Sequence, residues 1–153
     1  MNRLIVAALL AFSSLTQLSA VSVESAYTRY YEDGEIRPIG QYFGAKLIGQ
    51  RFRTVVASQP DAPAGHYFIA EVKGLKSAGA ASARITYYPS SEKRSGIHTW
   101  DLTKAPLKKW LYLGLTGSDW PSPEVTALAW KLELLDSAGN VLSEWKSFLW
   151  EMP

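Results

Sequence analysis

The sequence predicts an all-β domain, an antiparallel sandwich of about seven strands with an added N-terminal hairpin or arm. Three observations predict it. After the first twenty residues no long 3.6-residue apolar period appears. Short runs rich in β-branched and aromatic residues follow one another instead. Gly, Pro, Ser and Asn clusters separate them at the cadence of a sandwich or barrel.

The first segment stands outside that domain. Arg3 precedes an uninterrupted apolar run, Leu4–Phe12 (LIVAALLAF), and then SSLTQLSA. That order is a secretory signal peptide, and nine apolar residues are too few to cross a bilayer. Cleavage is expected after Ala20, which leaves Leu18 at the minus-three position; cleavage after Ser22, the alternative, puts Ala20 and Ser22 at the small-residue positions. The expected organisation is therefore a signal peptide over 1–20, a hairpin or arm over 21–47 and a sandwich over 48–153. The expected location is exported, periplasmic or extracellular.

Residues 21–47 contain YTRYYEDGEIRPIGQYFG, with four Tyr, one Phe and an acidic turn. A hairpin turning at Asp33-Gly34 is the preferred reading; an extended arm laying its tyrosines on the domain is the other. The strands expected after it are Arg51–Ala57, His66–Lys73, Ala83–Tyr88, Ile97–Leu102, Lys109–Leu115, Ala127–Leu135 and Val141–Trp150.

Alternate side chains on a strand point to opposite faces, so parity assigns the core. Phe52 and Val56 share one face, opposite Arg51 and Arg53. Phe68, Ala70 and Val72 oppose Tyr67, Ile69 and Glu71. Ile85 and Tyr87 oppose Arg84. Leu111, Leu113 and Leu115 oppose Trp110, Tyr112 and Gly114. Trp130, Leu132 and Leu134 oppose Lys131 and Glu133. A four-residue loop, Asp136–Gly139, sets Lys131 across from Glu144 and Trp130 across from Trp145, with Gly139 at a positive-φ position.

LTGSDWP, Leu115–Pro121, reads as a crossover. Gly117 gives the turn its freedom. Trp120 folds back over the open end of the core, and Ser122-Pro123-Glu124 resembles a helix start.

Seven short strands, a C-terminal hairpin (AWKLELLDSAGNVLSEWKSFLW) and a Trp-rich core resemble the immunoglobulin and fibronectin type III sandwiches. The likeness covers about residues 48–150 and implies an immunoglobulin-like fold. The Cys-Trp-Cys framework of true immunoglobulin domains is missing, since the chain has no Cys. The stretches RTVVAS and LGLTGSDWP are also similar to uncharacterised secreted bacterial proteins, a likeness that implies no activity. Four tryptophans, Trp100, Trp110, Trp120 and Trp130, stand ten apart. The residues between them do not match, so the spacing reflects strand cadence and not a repeat.

Composition narrows the function. Without the leader's Arg3, fifteen basic side chains face fourteen acidic ones. That balance argues against nucleic acid as a partner. With no Cys, an exported chain holds itself together by packing, which a domain of this length can do.

Catalytic motifs are absent. Ser or Thr must work with one of two histidines, His66 and His98, and no G-x-S-x-G context accompanies them. Each histidine reads as a strand-end residue. Two histidines without HxH or HExxH make no metal site, and the EDGE turn at Glu32–Glu35 lacks the ligand spacing of a calcium loop. Asp101, Asp119 and Glu124 have no pairing that marks a glycosidase. SEKR and KAPLKKW read as loops whose lysines keep strand edges unpaired. Strands this short do not fit a membrane barrel.

A surface aromatic patch is the candidate site: Trp110, Tyr112, Phe148 and Trp150, all on outward parity. Adjacent aromatics stack on sugar rings or bind protein. The competing expectation is that residues 21–50 cover them. The expected function is a non-catalytic binding or structural module of the cell envelope. The alternative is a carbohydrate-binding accessory or small carbohydrate-active enzyme. Exposed, coplanar Trp110, Tyr112 and Trp150 favour sugar; burial of all three favours a scaffold. The expected partner is an envelope protein or a glycan, with no cofactor.

Overall fold

The computed structural model describes residues 21–36 and 52–151. The expected signal peptide, the second half of the expected hairpin, and Arg51 lie outside them. The described residues form eight strands: β1 (Ser22–Tyr31), β2 (Arg53–Ala57), β3 (Gly65–Lys73), β4 (Ser82–Pro89), β5 (Gly96–Asp101), β6 (Trp110–Thr116), β7 (Ala127–Leu135) and β8 (Val141–Lys146). One helical turn, α1 (Asp33–Ile36), follows β1.

The strands make two four-stranded sheets, ordered β1-β3-β6-β2 and β5-β4-β7-β8. All neighbouring pairs run antiparallel except β2 with β6, which is parallel. The protein is an all-β sandwich, as its periodicity predicts.

Parity holds in the strand interiors. Phe68, Ala70 and Val72 join Leu111, Leu113, Leu115, Ile85, Trp130, Leu132 and Leu134 in the core between the sheets. Each fully buried aliphatic side chain contributes roughly 1.5–3 kcal/mol. The Trp100 indole N–H reaches from the second sheet to the Gly114 carbonyl of the first, at 3.1 Å.

The expected hairpin turn at Asp33-Gly34 is helical, and the chain after Ile36 lies outside the described residues. Ser22–Tyr31 is one continuous strand at the edge of the first sheet, paired with β3, and Asp33–Ile36 is helical. Glu35 closes that turn by accepting from the Glu32 N–H (2.9 Å) and from Arg29 (2.9 Å). Two expectations are corrected. Phe52 does not share the face of Val56. It sits in a 3-10 turn before β2, so strand parity does not reach it, and it is 60% exposed.

The final hairpin also has another register. Lys131 pairs with Lys146, Leu132 with Trp145 and Glu133 with Glu144. Trp130 meets Ser147, not Trp145; the Ser147 N–H donates to its carbonyl at 2.9 Å. The loop is shorter than expected, with the Asp136 N–H donating to the Asn140 carbonyl. A bulge at Leu142 then adds one residue. Two one-residue changes cancel in parity, so Trp145 still faces inward and Glu144 outward. Gly139 does take positive φ, 84°.

Candidate functional site

The outer face of the first sheet is aromatic, and register explains why. Aligned across the four strands, one row reads Tyr27–Ile69–Tyr112–Val55. The rows beside it read Ser25–Glu71–Trp110–Arg53 and Arg29–Tyr67–Gly114–Ala57. A second small core forms here on the solvent side: Tyr67, Ile69 and Ile36 are buried, with Tyr31, Trp110 and Tyr112 packed on them.

Gly114 makes the arrangement possible. A Cβ there would lie 2.5 Å from the Tyr67 ring. The bare backbone lets that ring lie flat on β6. The Tyr67 hydroxyl donates to the Pro63 carbonyl at 2.7 Å, which satisfies a phenol with no exposure at all. Tyr31 stands edge-on to Tyr67, with centroids 5.7 Å apart. Ile36, carried by α1, closes this end.

The other end stays open. Tyr27, Phe52, Arg53, Trp110 and Tyr112 line a cleft of about 110 Å³. Tyr27 is 46% exposed. Burial, then the neighbouring Tyr112 and Tyr31 phenols, hold the Tyr27 hydroxyl above its ordinary pKa. The Arg53 guanidinium lies 5.4 Å from the Tyr112 ring centroid. Arg53 forms no ion pair with a described residue, and its buried Nε has no hydrogen-bond acceptor. The nearest carboxylate along its row, Glu71, is held by Lys109 at 2.6 Å.

Of the expected patch, Trp110 and Tyr112 come together here, both half-buried. Phe148 and Trp150 lie with the second sheet. The last strand stops at Lys146, and Phe148–Glu151 form a 3-10 turn. Trp150 rests on Lys131 (5.6 Å) and Tyr88 (5.9 Å). Phe148 is 82% exposed. β6 and β8 belong to different sheets, so outward parity on each puts Trp110 and Tyr112 on one outer face and Trp150 on the other, and the four aromatics do not share a face.

Tyr27, Phe52 and Arg53 line the cleft and are not among the residues that the sequence predicts for it. A signal for Tyr27 existed: in SAYTRYY, Tyr27, Arg29 and Tyr31 alternate with Thr28 and Tyr30. Phe52 and Arg53 join through the parallel β2–β6 pairing, which no local pattern encodes.

The LTGSDWP end is a plug. Trp120 is 4% exposed and stacks on His66 at 4.4 Å and 15°. Its indole N–H donates to the Val125 carbonyl at 3.2 Å. Gly117 takes positive φ, 58°. The expected helix start at Ser122 is a single turn, the Val125 N–H donating to the Ser122 carbonyl. Ser118 accepts from the Gln59 amide at 2.7 Å, not from a histidine. Beside it lies a polar cleft of about 250 Å³, lined by Tyr87, Glu92, Arg94 and Asp119 among others.

His66 is buried, and neither ring nitrogen has a partner. Burial pushes its pKa down to about 4. His98 stands edge-on to Trp100 at 4.7 Å. Burial lowers its pKa, and Asp119 nearby opposes the shift. Among the described residues, no three His, Cys, Asp or Glu are placed to hold a metal ion. No helix among them is long and apolar enough to cross a membrane.

Comparison with family models, with curated proteins and with solved structures returns no match.

Proposed function

We propose that the chain is an exported, non-catalytic binding module of the cell envelope and that the outer face of its first sheet is the ligand surface. The observation that carries this reading is the open cleft among Tyr27, Phe52, Arg53, Trp110 and Tyr112. Apolar surface and a cation without an ionic partner stand together there, and a surface with no ligand gains little from either. The aromatic rings favour a carbohydrate over a purely structural contact, although Trp150 does not join them.

We also read the sandwich as immunoglobulin-like. The order β1-β3-β6 supports this as A-B-E, and β5-β4-β7-β8 supports it as C′-C-F-G. β2 departs from the plan: it takes the place beside E and runs parallel to it.

The test is co-sedimentation of residues 21–153 with insoluble polysaccharide and cell-envelope preparations. Trp110→Ala loses retention and Glu144→Ala, on the opposite face, keeps it. Equal retention of both variants, or none by the wild type, overturns the reading.

A further inference from the structure

The first-sheet cleft offers two chemistries at once. Its walls are the rings of Tyr27, Phe52, Trp110 and Tyr112, and its one cation is Arg53. Aromatic faces accept the C–H face of a sugar ring. A guanidinium presents parallel N–H donors that match a carboxylate. At a surface arginine water or a carboxylate meets that demand; Arg53 is half-buried. Here the carboxylate of the same row, Glu71, is bound to Lys109, and the buried Arg53 Nε donates to nothing. The ring of Tyr112 holds the guanidinium in place at 5.4 Å. A neutral sugar would offer Arg53 hydroxyl acceptors but no countercharge. A cationic ligand would be repelled.

We propose that this cleft binds an acidic sugar, a uronic acid unit of a polysaccharide, with its ring on the aromatic walls and its carboxylate on Arg53. The inference rests on the reading of this face as the ligand surface and adds the charge of the ligand. The chain itself is nearly balanced in charge. Selectivity for the acid is therefore local to Arg53, not a long-range attraction between oppositely charged bodies.

Isothermal titration of residues 21–153 with an oligogalacturonate, its methyl ester and a neutral glucan oligomer of equal length tests it. The free acid binds about tenfold tighter than the ester or the glucan, the loss of one charge-assisted hydrogen bond. Arg53→Gln brings the acid down to the level of the ester, and Trp110→Ala weakens every ligand. Near-UV circular dichroism verifies that each variant is folded, and the ester comparison reads the charge on the unaltered protein. Equal binding of acid and ester overturns the acidic-sugar assignment and leaves the ligand surface standing, provided Trp110→Ala weakens both. Binding unaffected by Trp110→Ala, or no binding of any of the three, overturns both.

Discussion

The two outer faces of the sandwich are built from strands of similar length and solve the same problem in opposite ways. The second sheet presents a lattice of charges. Arg84 binds Glu133 at 2.9 Å, Lys131 reaches Glu133 at 3.4 Å, and Lys146 bridges Glu144 and Glu151 at 3.5 and 3.7 Å. Glu133 lies directly across from Glu144, a like-charge pair that these cations offset. The first sheet presents rings, buries its outward Tyr67 and Ile69 with Ile36 of α1 in a second core, and leaves Arg53 without a carboxylate among the described residues. A solvated face needs no partner. A face of half-buried aromatics beside a guanidinium with no carboxylate among the described residues is the ligand surface we propose.

The comparison breaks most easily at Tyr67. Tyr67→Ala removes a fully buried ring and leaves the Pro63 carbonyl without its donor. The expected loss is about 3–5 kcal/mol, measured by urea unfolding, with collapse of the Tyr31–Tyr67–Tyr112 cluster. A loss below about 1 kcal/mol would mean that this second core does not hold the face together.

The interior between the faces gives the next largest effect. His66 has a folded pKa of about 4, below the 6.5 of the unfolded chain. The unfolded state therefore binds more protons between those values. Stability is complete above pH 6.5 and falls as pH drops toward 4, by about 3 kcal/mol in all. Unfolding curves over that window show the slope, and His66→Phe flattens it. The carboxylates of the charged face are an internal control. Arg84, then Lys131, hold the Glu133 pKa below its ordinary value. Its contribution is present above the unfolded carboxylate range and is lost only as pH falls through the lower, folded value.

Glu133→Gln is the smallest of the three. It uncouples Arg84 and Lys131 but keeps a polar side chain, and the Arg84 end of the pair is only half-buried. About 1 kcal/mol is expected from thermal unfolding, falling with added salt. Ligand binding on the first sheet is unchanged.

What was legible in the sequence follows the same division. All seven expected strands are present, and parity placed Leu111, Leu113 and Leu115 inside and Trp110 and Tyr112 outside, because these are properties of one strand at a time. Gly117 and Gly139 were readable from their turns, and Trp120 from the Asp119-Trp120-Pro121 setting. Partners were not readable. The parallel β2–β6 edge brings Arg53 beside Trp110 from 57 residues away in sequence. The bulge at Leu142 shifts the last hairpin by an amount that its loop does not announce. Ser147 ends the last strand by binding the Trp130 backbone through its N–H and its Oγ. Trp150 stays on the outer side of the second sheet, and alternation along one strand does not say that β6 and β8 lie in different sheets.

Backbone and indole N–H shifts in a ¹⁵N spectrum, followed while oligogalacturonate is added, compare the two faces in one experiment. The account places the perturbed signals at Tyr27, Phe52, Arg53, the Trp110 indole and Tyr112, with Lys131, Glu144 and Lys146 unmoved. Shifts gathered on the second sheet, or around Glu92, Arg94 and Asp119 at the LTGSDWP end, would contradict it.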